Sequence, residues 1–299
     1  MRSDQEIFDL ILDTARQDER IRAVVLNGSR SNPNAPRDIF QDFDVVYFVE
    51  DVAPFWKNLE WIRRFGELMI LQMPEDMADP PPELDGRFIY LMQFVDGSRI
   101  DLGIDPLDMI DEIVSDSLSI VLLDKDGRIP PLPPSNEGDY FPKPPTAKAF
   151  EDCCNEFWWT SISVAKGLWR GEILYARCFL DNIVRDQFMK MLYWYIGMNT
   201  GFSRNPGKLG KYVQQYLEPE RWERLLKTYP DASCESTWDA LFTIGGLFRE
   251  IALEVAREFN FMYPHGDDER VSTHLARVYS LPADTDGMNF NGISAYYPS

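Results

Sequence analysis

Apolar residues recur at helical spacing over residues 4–16, with Ile7, Phe8, Ile11, Leu12 and Ala15 on one stripe and acids between them, which predicts an amphipathic helix. Residues 21–26 form a short apolar run rich in β-branched side chains that ends at Asn27-Gly28-Ser29, the pattern of a strand running into a tight loop. A second strand follows over 45–49, continuing directly from Asp42-Phe43-Asp44. Beyond it the pattern predicts a helix at 54–65, strands at 68–72 and 88–95, a hairpin turn at Asp96-Gly97 and a partner strand at 99–104. A helix at 106–114 and a strand at 119–123 complete a mixed α/β unit.

Between Pro130 and Pro145 the chain carries seven prolines, which lock φ and remove backbone donors, so this stretch reads as a connection. Past it the periodicity becomes helical over 147–169, 173–195, 208–217, 219–228 and 237–259. The expected organisation is an α/β (α+β) domain with a mixed sheet over residues 1–134 and a proline-rich connection at 135–146. An all-α helical-bundle domain at 147–285 and a C-terminal tail at 286–299 follow.

The formal charge of the 299-residue chain is 30 − 49 = −19. That balance argues against nucleic acid, because phosphate binding needs clustered Lys and Arg, and it favours cationic partners. A hydrophobic content of 44% is too rich for disorder, so each domain has material for a core. No apolar run approaches a membrane span and the N-terminus is charged, so no membrane association and a cytoplasmic location are expected. Cys153, Cys154, Cys178 and Cys234 lack the spacing of a zinc or redox motif and read as reduced, mostly buried thiols. His265 and His274 lie far in sequence from the acids below and read as structural.

The candidate chemistry is Gly28-Ser29-Arg30 after a strand, Asp42-Phe43-Asp44 at the start of the next, and Asp101 between two apolar neighbours on a third. Alternate strand residues face one side, so Asp42 and Asp44 project together while Phe43 turns away. Carboxylates aimed at one point repel unless a cation sits between them, and an all-oxygen set suits Mg²⁺. Glycine lets the backbone approach a phosphate, and the Ser29 hydroxyl and neighbouring amides can donate to its oxygens.

These residues resemble the polymerase-β-like nucleotidyltransferase superfamily, with its Gly-Ser, paired acids and third carboxylate. The similarity extends to Met1-Arg-Ser-Asp-Gln-Glu, Asp18-Glu-Arg-Ile-Arg, Gly28-Ser-Arg-Ser-Asn-Pro, Phe40-Gln-Asp-Phe-Asp, Pro74-Glu-Asp-Met, Cys153-Cys-Asn-Glu-Phe-Trp and Trp194-Tyr-Ile-Gly, which look like the aminoglycoside 6-adenylyltransferases. The resemblance implies a two-domain enzyme that uses ATP and Mg²⁺ to adenylylate a hydroxyl of streptomycin or a related cationic aminoglycoside, releasing pyrophosphate and conferring antibiotic resistance. It implies Asp42, Asp44 and Asp101 as metal ligands, Gly28, Ser29 and Arg30 as the triphosphate loop, and Lys208 and Lys211 as further nucleotide contacts.

The resemblance places the acceptor side on a helix running from Glu172, which departs from the family pattern at Cys178-Phe179-Leu180, where the family carries an acid. Glu172 and Asp181 are the candidate substrate-binding acids and Asp181 the candidate general base; ion pairing of Asp181 with Arg177 or Arg185 is the competing reading. Trp158, Trp159, Trp169 and Trp194 read as mainly core. The alternatives to an antibiotic-modifying enzyme are a catalytically silent nucleotide- or cation-binding protein of the same fold, or an adenylyltransferase acting on a protein, an RNA or another small molecule. A monomer or a homodimer fits the pattern equally.

Overall fold

Ser3 opens the first helix, α1 (Asp4–Gln17): its Oγ accepts from the Glu6 amide and the Glu6 carboxylate accepts from the Ser3 amide, a reciprocal cap. The buried stripe of α1, Ile7, Ile11 and Ala15, packs on one face of a sheet. The computed structural model describes residues 1–82 and 85–282, and among these the chain separates into two compact units that part between Asp139 and Tyr140.

The first unit is built on six strands: β1 (Ile21–Leu26), β2 (Phe43–Val49), β3 (Leu68–Gln72), β4 (Phe88–Phe94), β5 (Arg99–Pro106) and β6 (Ile120–Asp124). Their order is β3-β4-β5-β2-β1-β6. Only the β2–β5 pair is parallel, with Asp44 opposite Asp101, so the sheet is mixed. Phe43, Val45, Tyr47 and Val49 face α1. Val46 and Phe48 face the other side, with Ala23, Val25 and Ile110. Two-residue alternation thus sends Asp44 to the face opposite Phe43.

Short helices α2 (Gly28–Ser31), α3 (Leu59–Ile62) and α4 (Ile110–Val114) connect the strands. The expected helix at 54–65 is broken into a 3₁₀ turn (Ala53–Phe55), α3 and a second 3₁₀ turn (Arg63–Phe65), because Lys57 adopts a left-handed φ of 54° and Asn58 caps a new start by accepting from the Trp61 amide. The segment 106–114 likewise begins as a 3₁₀ turn (Leu107–Met109), and β5 runs on to Pro106. The first unit also extends past the expected boundary at 134. Ser135 donates to the Ser31 carbonyl and Glu137 accepts from Asn32, which ties the end of the proline segment to the Gly-Ser loop.

The described part of the second unit is helical: α5 (Ala147–Trp169), α6 (Ile173–Phe179), α7 (Arg185–Asn199), α8 (Pro219–Leu226), α9 (Cys234–Phe259) and α10 (His265–Tyr279) around one core. A π segment at Leu180–Val184 joins α6 to α7, so the expected helix at 173–195 is a continuous rod with one widened turn that extends to Asn199. The helix expected at 208–217 is absent. Gly207, Leu209 and Gly210 all have positive φ, which stops α propagation and leaves two 3₁₀ turns. Helix α10, which periodicity did not single out, is fastened to α9 by the Arg249–Asp268 fork at 2.6 and 2.5 Å. The tail expected at 286–299 lies outside the described residues.

No described helix is long and apolar enough to cross a membrane. All four cysteines are free; Cys153 and Cys154 are buried as expected, while Cys178 is exposed and Cys234 partly so. Trp158 and Trp194 are core residues, but Trp159 is 69% exposed.

Candidate active site

The site begins where β1 ends. The Asn27 amide donates to the Asp44 carbonyl at 2.9 Å, pinning the Gly-Ser turn to the neighbouring strand. Gly28 follows with φ of 67°, and a Cβ there would stand 2.7 Å from the Asp44 carboxyl carbon and closer still to Oδ2. Glycine is required twice over at this point, for its left-handed backbone and for the space the Asp44 carboxylate fills. Ser29 is partly exposed, its oxygens 3.3–3.4 Å from the Gln41 amide nitrogen.

Asp44 and Asp101 are register partners on the parallel pair, and Asp42 precedes β2 on the same side as Asp44. The three acids expected from sequence are therefore brought to one end of the two central strands. They do not converge on a point: among the described residues no group of three His, Cys, Asp or Glu side chains is drawn close enough to hold a metal. Arg99, two residues before Asp101 on the same strand face, engages two of the three. It donates Nε and Nη2 to the two Asp101 oxygens at 2.7 Å each and stands 3.7 Å from Asp42. This fork raises the Arg99 pKa, mainly through the Asp101 hydrogen bonds. Burial pushes the Asp42 carboxyl above the usual carboxylate range; Arg99 opposes the rise and Asp101 adds to it. Sequence reasoning missed Arg99, although its i, i+2 relation to Asp101 in a strand was the available signal.

Arg30 departs from its expected role. Its side chain is 3% exposed and donates to the Asp42 carbonyl at 3.0 Å, the Gln41 carbonyl at 2.8 Å and Asp4 at 2.6 Å. The guanidinium also lies 3.6 Å from the Phe43 ring centroid. Arg30 holds the acidic loop against α1 and is a positioning residue; its donors are turned to protein rather than phosphate.

The remaining candidates lie in the second unit. Lys208 and Lys211 are exposed around the 3₁₀ turn. Glu172 is an exposed residue at the start of α6, 3.9 Å from Arg170. Asp181 sits in the π segment, where one oxygen accepts from Arg177 at 2.8 Å and the other from Arg185 at 3.3 Å. With both oxygens bound at i−4 and i+4, Asp181 is a staple of the rod, the ion-paired arrangement that competed with a general base. His265 starts α10, and His274 is half-buried, where desolvation lowers its pKa.

A strand, a Gly-Ser turn, paired acids on the next strand and a third acid in register on the parallel neighbour define a nucleotidyltransferase. The model of the streptomycin adenylyltransferase family matches residues 1–278, and the chain belongs to that family. It is 45% identical over 280 residues to the aminoglycoside 6-adenylyltransferase of Campylobacter jejuni, covering 93% of this chain and 96% of the relative. It is 43% identical over 281 residues to that of Bacillus subtilis, covering 93% and 99%. A crystal structure of an aminoglycoside 6-adenyltransferase from Bacillus subtilis matches at 38% identity with a TM-score of 0.47, over 94% of this chain and all of that one. The protein is an enzyme of the nucleotidyltransferase class.

Proposed function

We propose that this enzyme transfers AMP from ATP to a hydroxyl of streptomycin or a related aminoglycoside and releases pyrophosphate, acting in the cytoplasm as a resistance enzyme. The observation that carries the reading is the register of Asp44 with Asp101 beside a glycine that only an unsubstituted Cα can fill. By its chemistry the donor set suits magnesium, since three carboxylates offer hard oxygen ligands, although in the resting chain they are not drawn to one point and Arg99 occupies Asp101. Asp42, Asp44 and Asp101 would hold it, and when bound it neutralises the triphosphate and polarises the acceptor hydroxyl. The turn from Gly28 to Arg30 presents the Ser29 hydroxyl and backbone amides to the phosphates. Arg99, next to these carboxylates, would offer positive charge to the leaving pyrophosphate. A net charge of −19 draws a polycationic acceptor toward the protein.

The test is mass spectrometry of aminoglycosides, streptomycin first, incubated with enzyme, ATP and Mg²⁺. The expected product carries one added adenylyl group, and Asp42→Asn or Asp44→Asn abolishes it. Absence of an adenylylated product from every aminoglycoside tried would overturn the reading.

A further inference from the structure

Asp105 lies on the same face of β5 as Asp101, separated from it by Gly103. It is 4% exposed, yet among the described residues no hydrogen bond or ion pair reaches its carboxylate. A buried carboxylate without a partner is costly and rare in a folded protein. Asp105 borders a cavity of about 540 Å³ that also takes in Asp44 and Asp101. Four strand residues, roughly 13 Å, separate Asp101 from Asp105, long enough for a substituted ring between them.

Asn27 borders the same cavity. Asn27 donates through Nδ2 to the Ser119 hydroxyl at 2.7 Å, while its Oδ1 is buried with no donor. The acids Glu75 and Asp85 add further negative charge to the wall. Arg87, the cation of the lining, is already committed to Asp85 at 2.7 Å and Glu112 at 3.0 Å. An unpartnered carboxylate in an acidic cavity calls for a ligand that brings hydrogen-bond donors and positive charge. A triphosphate has neither, and a neutral base would leave the Asp105 charge uncompensated.

We propose that this cavity is a subsite for an ammonium or guanidinium group of the acceptor, with Asp105 as its counter-ion. The inference rests on the transfer reading above and adds that the sheet unit itself recognises the acceptor's cationic end. Asp105 then determines acceptor affinity, and an acceptor seated there extends toward Asp44 and Asp101.

Steady-state kinetics of wild type and Asp105→Asn, with streptomycin and ATP varied in turn, test this. The expected result is a KM for the aminoglycoside raised about tenfold or more, with the KM for ATP within twofold of wild type and an unchanged or higher Tm. Asp105→Glu, which keeps the charge, recovers most of the affinity. If Asp105→Asn does not fold, Asp105→Ser carries the same comparison. An unchanged aminoglycoside KM, or a rise confined to ATP, overturns the subsite while leaving the transfer reading intact. A wild type that adenylylates no aminoglycoside overturns that reading and the subsite with it.

Discussion

Arg99 forks onto Asp101, Nε and Nη2 each donating at 2.7 Å to a different oxygen, and the same Nε stands 3.7 Å from Asp42. The guanidinium thus offsets charge at the end of the central strands where three acids gather, and any cation taken by Asp101 competes with it. Arg99→Ala is expected to lower kcat/KM by about 10²–10³, the range for loss of one charged group that stabilises a transition state. The variant also shifts the Mg²⁺ concentration giving half-maximal rate downward, because the competing charge is gone. Initial rates across a Mg²⁺ series measure both effects.

Gly28 and Asp44 share one space. Gly28→Ala puts a methyl into the Asp44 carboxylate and strains a left-handed backbone at φ 67°. A loss of about 1–3 kcal/mol in urea unfolding is expected, with activity falling further because the displaced group is Asp44 itself.

Arg30→Lys separates positioning from phosphate binding. An ammonium cannot reproduce the fork onto the Asp42 and Gln41 carbonyls and Asp4. The variant should unfold about 1–2 kcal/mol more easily and lose kcat, with the KM for ATP within threefold of wild type. A rise confined to that KM would return Arg30 to the phosphates.

Asp181→Asn removes the carboxylate that joins Arg177 to Arg185. Because Asp181 is about a third exposed, the cost is small, about 1 kcal/mol, read as a modest drop in Tm. Its kcat should stay within threefold of wild type; a general base would cost at least 10².

Asp105 makes stability depend on pH. Burial pushes its carboxyl up to about 6, with Arg87 opposing and Asp85, Glu112 and Glu75 reinforcing the rise. Between about pH 4 and pH 6 the folded chain binds more protons than the unfolded one, so this group's contribution to stability falls as pH rises through that window. Asp105→Asn lacks the titration. Relative to wild type it should gain on the order of 2 kcal/mol between pH 4 and pH 7 in ligand-free urea unfolding.

All six strands and most of the long helices were legible in the sequence, because periodicity records which face a residue presents within its own element. The spacing of Gly28-Ser29, Asp42, Asp44 and Asp101 across three strands was legible for the same reason. Alternation predicted that Asp44 and Phe43 face opposite ways, and they do, Phe43 toward α1 and Asp44 toward Gly28. The failures at 54–65 and 208–217 came from left-handed backbone angles at Lys57 and at Gly207, Leu209 and Gly210, which apolar spacing does not encode.

What only the tertiary structure decided is which partner arrives from elsewhere in the chain. Arg30 reads as a phosphate ligand until α1 brings Asp4 to it and the acidic loop turns two carbonyls toward it. Asp105 carries no motif and becomes notable only once the packed sheet buries it with no hydrogen-bond or ion-pair partner among the described residues. A side chain's charge is written in the sequence, but whether that charge meets protein, solvent or ligand is set by burial and cross-strand register, which arise when the elements pack.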